Sequence, residues 1–277
     1  MTSWTLSGFG DEIDPDPAIQ LAVLQALGAK HIEVRSGWDT NVVDLSTEQL
    51  DRFATLLSLR GMAVSAIASP VGKVDVYGDP EPELDRLRRA IAAAHRFGCR
   101  YVRLFSFYRP DGVPPQAVRD TVLARMAGFA EEARRADVVL VHENEKEIYG
   151  DTPDRVLDIV ESVGSAYLRV AWDTANFVQV GVRPHTDGYA KLRPYLEYLQ
   201  VKDAVAGSGE VVVAGAGDGE LHETLTALRD DGYTGFASLE PHLAIQERLG
   251  GYSGPEEFGR AARAFAALCA SIGVELT

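Results

Sequence analysis

Short apolar runs recur along the chain, and between them lie longer stretches in which apolar positions return every three to four residues. The first pattern predicts strands near Thr5–Phe9, His31–Val34, Ala63–Ala68, Tyr101–Phe105, Val138–His142, Leu168–Trp172, Tyr198–Val201 and Phe236–Leu239. The second predicts amphipathic helices between them. Ser46 with Gln49 forms a capping box ahead of Leu50, Phe53 and Leu57. Thr152-Pro153 places a cap and an N1 proline before Val156, Ile159 and Val160, and Pro17 and Pro255 do the same for the first and last helices. Gly28, Gly61, Gly98, Gly164 and Gly232 each follow a helical pattern, where a left-handed residue ends a helix. Eight strand–helix units of about 35 residues match the size of a βαβ repeat. They favour a closed (β/α)8 TIM barrel over an open doubly wound sheet. No GxGxxG opens the first helix: Gly8-Phe9-Gly10-Asp11-Glu12 puts acids where a pyrophosphate would sit. Without a Pro/Gly/Ser-rich linker to divide it, residues 1–277 read as one barrel domain.

Composition narrows the function. The chain is 46% hydrophobic, enough to build a core, so disorder is excluded. Its 27 basic and 41 acidic residues give a net charge of −14, which argues against nucleic acid and anionic membrane surfaces as partners. Cys99 and Cys269 make neither a disulfide framework nor a zinc cluster, so a reducing compartment is expected. The N-terminus shows no signal-peptide pattern, and the apolar stretch from Ala264 to Val274 is too short to span a bilayer. The expectation is a soluble, cytoplasmic protein.

In barrel enzymes the chemistry lies at the C-terminal ends of the strands. Carboxylates close the fifth, sixth and eighth strands: Glu143, Asp173 and Glu240. Converging in a partly buried site they repel, and a raised pKa or a cation must answer that. A divalent ion with oxygen ligands is the simplest answer. Asp173 is also placed to cap a helix beginning at Thr174. Only five lysines stand against twenty-two arginines, yet Lys73, Lys146 and Lys202 all follow strand ends; Lys202, two residues past Gln200, shares its strand face. Arg35 and Glu33 share a face in the same way, so they either pair or leave Arg35 to bind an anionic group. Trp38, Phe105 and Phe107 are candidates for pocket walls, with ordinary packing the stronger reading. His242 and His222 suit a pocket rim; His31 and His95 read as structural. The Gly215–Gly219 loop lies where barrels often hold phosphate, but Asp218 and Glu220 oppose one.

Five segments, His142 to Thr152, Trp172-Asp173-Thr174-Ala175-Asn176-Phe177, Val201-Lys202-Asp203, Gly215-Ala216-Gly217-Asp218-Gly219 and Ser238-Leu239-Glu240-Pro241-His242, resemble the xylose isomerase-like TIM-barrel superfamily of sugar isomerases, 3-epimerases and dehydratases. The resemblance implies one divalent metal, Mn²⁺ or Mg²⁺, bound by Glu143, Asp173, the residue at 200 and Glu240. That residue is Gln200 where the family has histidine. A second family histidine is replaced by Asn176. The arginine that anchors substrate in ketose 3-epimerases has no match in Ala204-Val205-Ala206, which disfavours that branch.

The resemblance further implies that Glu143 and Glu240 carry protons on the two faces of a metal-bound α-hydroxycarbonyl. Arg35, Trp38, Asn176, Lys202 and His242 would contact the substrate, a small sugar-like molecule. The expected enzyme is a metal-dependent sugar isomerase or epimerase working through an enediolate. A keto-sugar or keto-inositol dehydratase and a non-catalytic sugar-binding barrel are the alternatives. Barrels of this type commonly pair, so a homodimer is compatible with the sequence.

Overall fold

The computed structural model describes residues 2–244 and 251–277. Eight parallel strands form the barrel: β1 (Thr2–Gly8), β2 (His31–Val34), β3 (Ala63–Ala68), β4 (Tyr101–Leu104), β5 (Val139–Glu143), β6 (Leu168–Asp173), β7 (Leu196–Val201) and β8 (Phe236–Leu239). They pair in sequence order from β2 to β8, and β8 returns to β1. The expected (β/α)8 barrel is the fold observed.

Within the main sheet, one strand went unforeseen. The chain ends in a ninth strand, β9 (Val274–Leu276), parallel to the first half of β1. Three residues after Gly273 show too little alternation to signal a strand, and the edge of β1 recruits them. Since β9 occupies the lower part of that edge, β1 meets β2 only above it, through a parallel bridge between Phe9 and Glu33. The Ser7 and Ser65 hydroxyls, 2.7 Å apart, join β1 to β3 across the interior.

The main helices are α1 (Pro17–Ala26), α2 (Thr47–Arg60), α3 (Glu81–Phe97), α4 (Pro115–Ala136), α5 (Pro153–Val163), the short α6 (Thr174–Gln179), α7 (Leu221–Asp230) and α8 (Gly254–Ser271). The Ser46–Gln49 capping box forms as expected. Thr152 stands at the N-cap of α5, but its side chain makes no capping bond, so Pro153 carries that start. All five helix-ending glycines take positive φ. The buried face of α5, Val156, Ile159 and Val160, illustrates what holds helices to barrel: each such side chain contributes about 1.5–3 kcal/mol by leaving water.

His142 on β5 faces out of the barrel into this helix–sheet layer. It is fully buried, and neither ring nitrogen has a hydrogen-bond partner among the described residues. A Cβ at Gly150 would fall 2.4 Å from its ring, so glycine is needed there. Burial lowers the His142 pKa to about 3. A histidine with a depressed folded-state pKa favours unfolding once protonated, so its contribution is complete above about pH 6.5 and declines as pH falls toward 3. Wild type should therefore lose about 1–2 kcal/mol more than His142→Met between pH 7.5 and 5.0, as measured by urea denaturation. Equal losses in the two proteins would show that protons reach the ring without unfolding.

Candidate active site at the C-terminal mouth of the barrel

Side chains that face inward recur every second residue, so each strand sends a series of residues into the interior from base to mouth. The bottom layer is aromatic: Tyr101, Tyr198 and Phe236 pack edge-on or tilted, with ring centroids 5.7–6.2 Å apart. The middle layer is mixed. Glu33 accepts a hydrogen bond from the Tyr198 hydroxyl (2.9 Å) and from Gln200 Nε2 (3.4 Å), and burial raises its pKa to about 7. The top layer is charged, and it forms the site.

Glu143, Asp173 and Glu240 converge there, buried, each offering an oxygen within 4.8 Å of the others. Cations meet them. Arg103 Nη1 donates to Glu143 Oε2 at 2.8 Å and lies 3.9 Å from Glu240 Oε1. Arg35 Nη1 donates to Glu240 Oε1 at 3.1 Å, and Arg35 Nε to Asp11 Oδ2 at 2.8 Å. Lys202 Nζ sits 2.8 Å from Asp173 Oδ2 and 3.0 Å from Glu240 Oε2. Both guanidinium groups also lie over the Phe9 ring, which gives their planar faces an apolar seat.

The field separates two of the carboxylates. Burial and the neighbouring Glu143 and Glu240 push Asp173 up to about 7 against the pull of Lys202. For Glu240 burial acts upward too, but Lys202, His242 and Arg35 outweigh it and hold the group well below the usual carboxylate range. His242 Nε2 lies 3.1 Å from Glu12 Oε1 and 3.4 Å from Glu240 Oε1. Burial opposes its protonation, yet these two carboxylates raise its pKa to about 9.

Local structure explains how the side chains are aimed. Asp173 serves as the N-cap of α6, its Oδ1 accepting from Asn176 N at 2.9 Å, which leaves Oδ2 for the site. Capping and site chemistry thus divide its two oxygens. Asn176 Nδ2 donates to Glu143 Oε1 (3.1 Å) and to the Asn144 carbonyl (2.9 Å). Asn144 is locked in turn to the Asp173 backbone in both directions, at 2.8 and 3.0 Å. The ends of β5 and β6 are therefore tied together before any ligand enters.

The structure brings Arg35, Asn176, Lys202 and His242 to the carboxylates. It places Trp38 elsewhere, edge-on to Phe53 of α2 and under Arg52. Arg35 does not pair with Glu33, which points one layer lower into the barrel. Phe107 packs on Phe129, whereas Phe105 lies beneath Lys73 and Arg103. Lys73 also pairs with Glu145 at 3.1 Å. Sequence reasoning missed Arg103, whose signal was a charge at an inward position of an otherwise apolar strand, and the acids Asp11 and Glu12 at the end of β1.

The glycine-rich loop after β7 is folded around an internal anion. Asp203 accepts from the backbone N–H groups of Gly215 (2.9 Å), Gly217 (3.0 Å) and Gly219 (3.0 Å). A Cβ at Gly217 or Gly219 would lie 2.5 or 2.6 Å from the Asp203 carboxylate. The donors that a phosphate would use are taken. In Val201-Lys202-Asp203, the lysine faces the site and the aspartate builds the loop beside it.

The carboxylate cluster fits a divalent ion on this structure's own evidence. Three oxygens are close enough to share one, and on the adjacent strand the Gln200 side-chain oxygen is buried with no hydrogen-bond partner among the described residues, with Gln200 in register with Asp173 and Ser238. An all-oxygen donor set suits a hard cation. Glu12, Glu240 and His242 form a second group of similar span, though its imidazole is held protonated.

A parallel (β/α)8 barrel with buried carboxylates at the ends of its fifth, sixth and eighth strands defines the class. The chain belongs to the xylose isomerase-like TIM barrel family, whose profile matches residues 21–268. It is 27% identical over 233 residues, 83% of this chain and 81% of the other, to the 2-epi-5-epi-valiolone 7-phosphate 2-epimerase of Actinoplanes sp.. Among solved structures it is similar in fold to the probable 3-DHS dehydratase AsbF of Bacillus anthracis, with TM-score 0.75 at 16% identity, covering 95% of this chain and 98% of that one. A xylose isomerase-like TIM barrel protein from Mycobacterium smegmatis, in complex with magnesium, gives TM-score 0.69 at 20% identity over 99% and 98% of the two chains. Among the described residues no helix is long and apolar enough to cross a membrane.

Asp203→Ala should strip the acceptor from three loop amides and cost about 2–3 kcal/mol. Hydrogen exchange should accelerate at Gly215, Gly217 and Gly219 while the helical circular dichroism stays unchanged. Retained protection there would mean that the loop holds its shape without the carboxylate.

Proposed function

We propose that the protein moves a proton next to the carbonyl of a keto-sugar or sugar-like ketone, as an isomerase or epimerase. The observation that supports this most is the pair Glu143 and Glu240. Both are buried, and Arg103 lies between them, 2.8 Å from Glu143 and 3.9 Å from Glu240. Glu240, held ionised by Lys202, His242 and Arg35, is the base that takes the proton from the carbon. Glu143, fixed by Arg103 and Asn176, carries a proton on the opposite face. Return to the neighbouring carbon is isomerisation, and return to the other face is epimerisation.

Glu143, Asp173, Gln200 and Glu240 would hold one Mg²⁺ or Mn²⁺, which when bound polarises the carbonyl and stabilises the enediolate charge. Lys202 and Arg35 keep positive charge beside the oxygens of the substrate. The relative whose name is that of a 2-epimerase acting on a 7-phosphate favours the epimerase branch. A phosphate on the substrate would be met at the mouth by Lys73, since the glycine loop is filled by Asp203.

The test is deuterium exchange. Candidate ketoses and cyclic ketones incubated with Mn²⁺-supplemented protein in D₂O should gain deuterium beside the carbonyl, read by NMR. Glu240→Gln should slow that exchange by about 10²–10⁴-fold. An unsaturated product would instead make the protein a dehydratase. Binding with no exchange across the panel would make it a non-catalytic barrel.

A further inference from the structure

We propose that Lys202 is the internal competitor of the divalent cation: an ion entering the Glu143–Asp173–Glu240 cluster displaces the Lys202 ammonium, so this side chain sets the metal affinity of the site. The inference rests on the reading above that the cluster takes a divalent ion. It goes further in naming the residue that must yield.

The argument follows the carboxylate oxygens one by one. Glu143 is held at Oε2 by Arg103 (2.8 Å) and at Oε1 by Asn176 (3.1 Å). Asp173 is held at Oδ1 by the backbone N–H of Asn176 (2.9 Å), and its Oδ2 faces the Lys202 ammonium at 2.8 Å as an ion pair without hydrogen-bond geometry. Glu240 is held at Oε1 by Arg35 (3.1 Å) and at Oε2 by Lys202 (3.0 Å). The Lys202 ammonium stands between Asp173 and Glu240, so an ion that bridges those two carboxylates takes its place.

The donors differ in how firmly they are tied. The Asn176 N–H belongs to a helix end, and the Asn176 amide is also bonded to the Asn144 carbonyl. Arg35 is anchored on Asp11 and seated over Phe9. Arg103 bonds the carbonyls of Ala68 (3.3 Å) and Ser69 (3.4 Å) and lies over both Phe9 and Phe105. Among the described residues the Lys202 ammonium makes its ion pairs with Asp173 and Glu240 alone. It is a point charge on a flexible four-carbon stem, and it bridges two of the three carboxylates as a metal would. It is the donor that can leave at least cost. Gln200 sharpens the competition, because an amide oxygen gives the entering ion less ligand strength against the ammonium than a histidine at that position would.

The experiment is Mn²⁺ binding by electron paramagnetic resonance, on wild type, Lys202→Met and Lys202→Arg. Lys202→Met should bind Mn²⁺ at least about tenfold more tightly than wild type, a difference of about 1.4 kcal/mol. Lys202→Arg, which keeps the charge, should remain within a few-fold of wild type. Binding detected only in Lys202→Met would support the proposal equally. An affinity in Lys202→Met equal to or weaker than that of wild type would overturn it, since Lys202 would then support the ligands instead of opposing the ion. Should Lys202→Met fail to fold, Lys202→Gln carries the same expectation. The outcome is separable from the catalytic reading: absence of deuterium exchange refutes the latter and leaves the measured competition intact.

Discussion

The mouth of this barrel depends on charge matching under burial. Glu143, Asp173 and Glu240 are almost inaccessible to water, and three desolvated anions at such separation would neutralise or drive the strands apart if left alone. Arg35, Arg103 and Lys202 prevent this from the ends of β2, β4 and β7, so each acid of β5, β6 and β8 has a base within ion-pair distance. Removing one partner of such a pair strands the other in a medium that cannot solvate it, at about 3–5 kcal/mol. The arrangement therefore fixes which neighbouring residues are tolerated. Phe9 is one consequence, since its ring seats two guanidinium groups that would repel without intervening acids. Asn144 and Asn176 are another, because they hold two of the acids in place with neutral donors and add no charge to the balance.

This charged layer stands on a graded interior. The inward positions of β7 run Tyr198, Gln200, Lys202, and those of β8 run Phe236, Ser238, Glu240, from apolar base to charged mouth. The middle layer insulates the ends from each other: the hydroxyls of Ser7, Ser65 and Tyr198 and the carboxyl of Glu33 satisfy one another in the dark of the barrel. A fully apolar middle would leave Glu33 and Gln200 without partners. A fully charged one would add to the repulsion above it. At the mouth above it, the surroundings drive Asp173 and Glu240 apart, the first raised and the second held low.

Much of this was legible in the sequence, and its gaps have physical reasons. The eight strands, the helix-ending glycines and the Ser46–Gln49 box follow from local periodicity and capping, which act over a few residues. The three carboxylates were visible because each closes an apolar run. Arg103 was not singled out, because one charge within Tyr101-Val102-Arg103-Leu104 looks like a strand interruption until the other strands supply its partner. Glu12 was legible only as an acid that opposes a phosphate, and its contact with His242 spans 230 positions. Asp203 looked like part of a site motif, and only the path of the loop shows that its carboxylate is spent on the glycine amides. Trp38 shows the converse: an aromatic residue after β2 is as well placed for α2 as for a pocket, and Phe53 decides the matter.

The two amides that stand where the family pattern has histidines act together. With Gln200 and Asn176 in place, strands β6 and β7 bring no imidazole nitrogen to the mouth. The histidine that does reach it, His242, faces Glu12 and Glu240 at 3.1 and 3.4 Å, and these carboxylates raise its pKa. A set of Glu143, Asp173, Gln200 and Glu240, as proposed above, would be entirely oxygen, without the nitrogen that favours late transition metals. The two amides also remove a group that titrates near neutral pH from the immediate surroundings of Asp173. Since Asp173 is itself pushed toward neutrality by burial and by its acidic neighbours, an imidazolium at 176 would hold it ionised, whereas an amide leaves it responsive to whatever cation sits beside it. Lys202 is that cation in this structure. The exchange of imidazole for amide at two positions thereby hands control of the cluster to a side chain that can move.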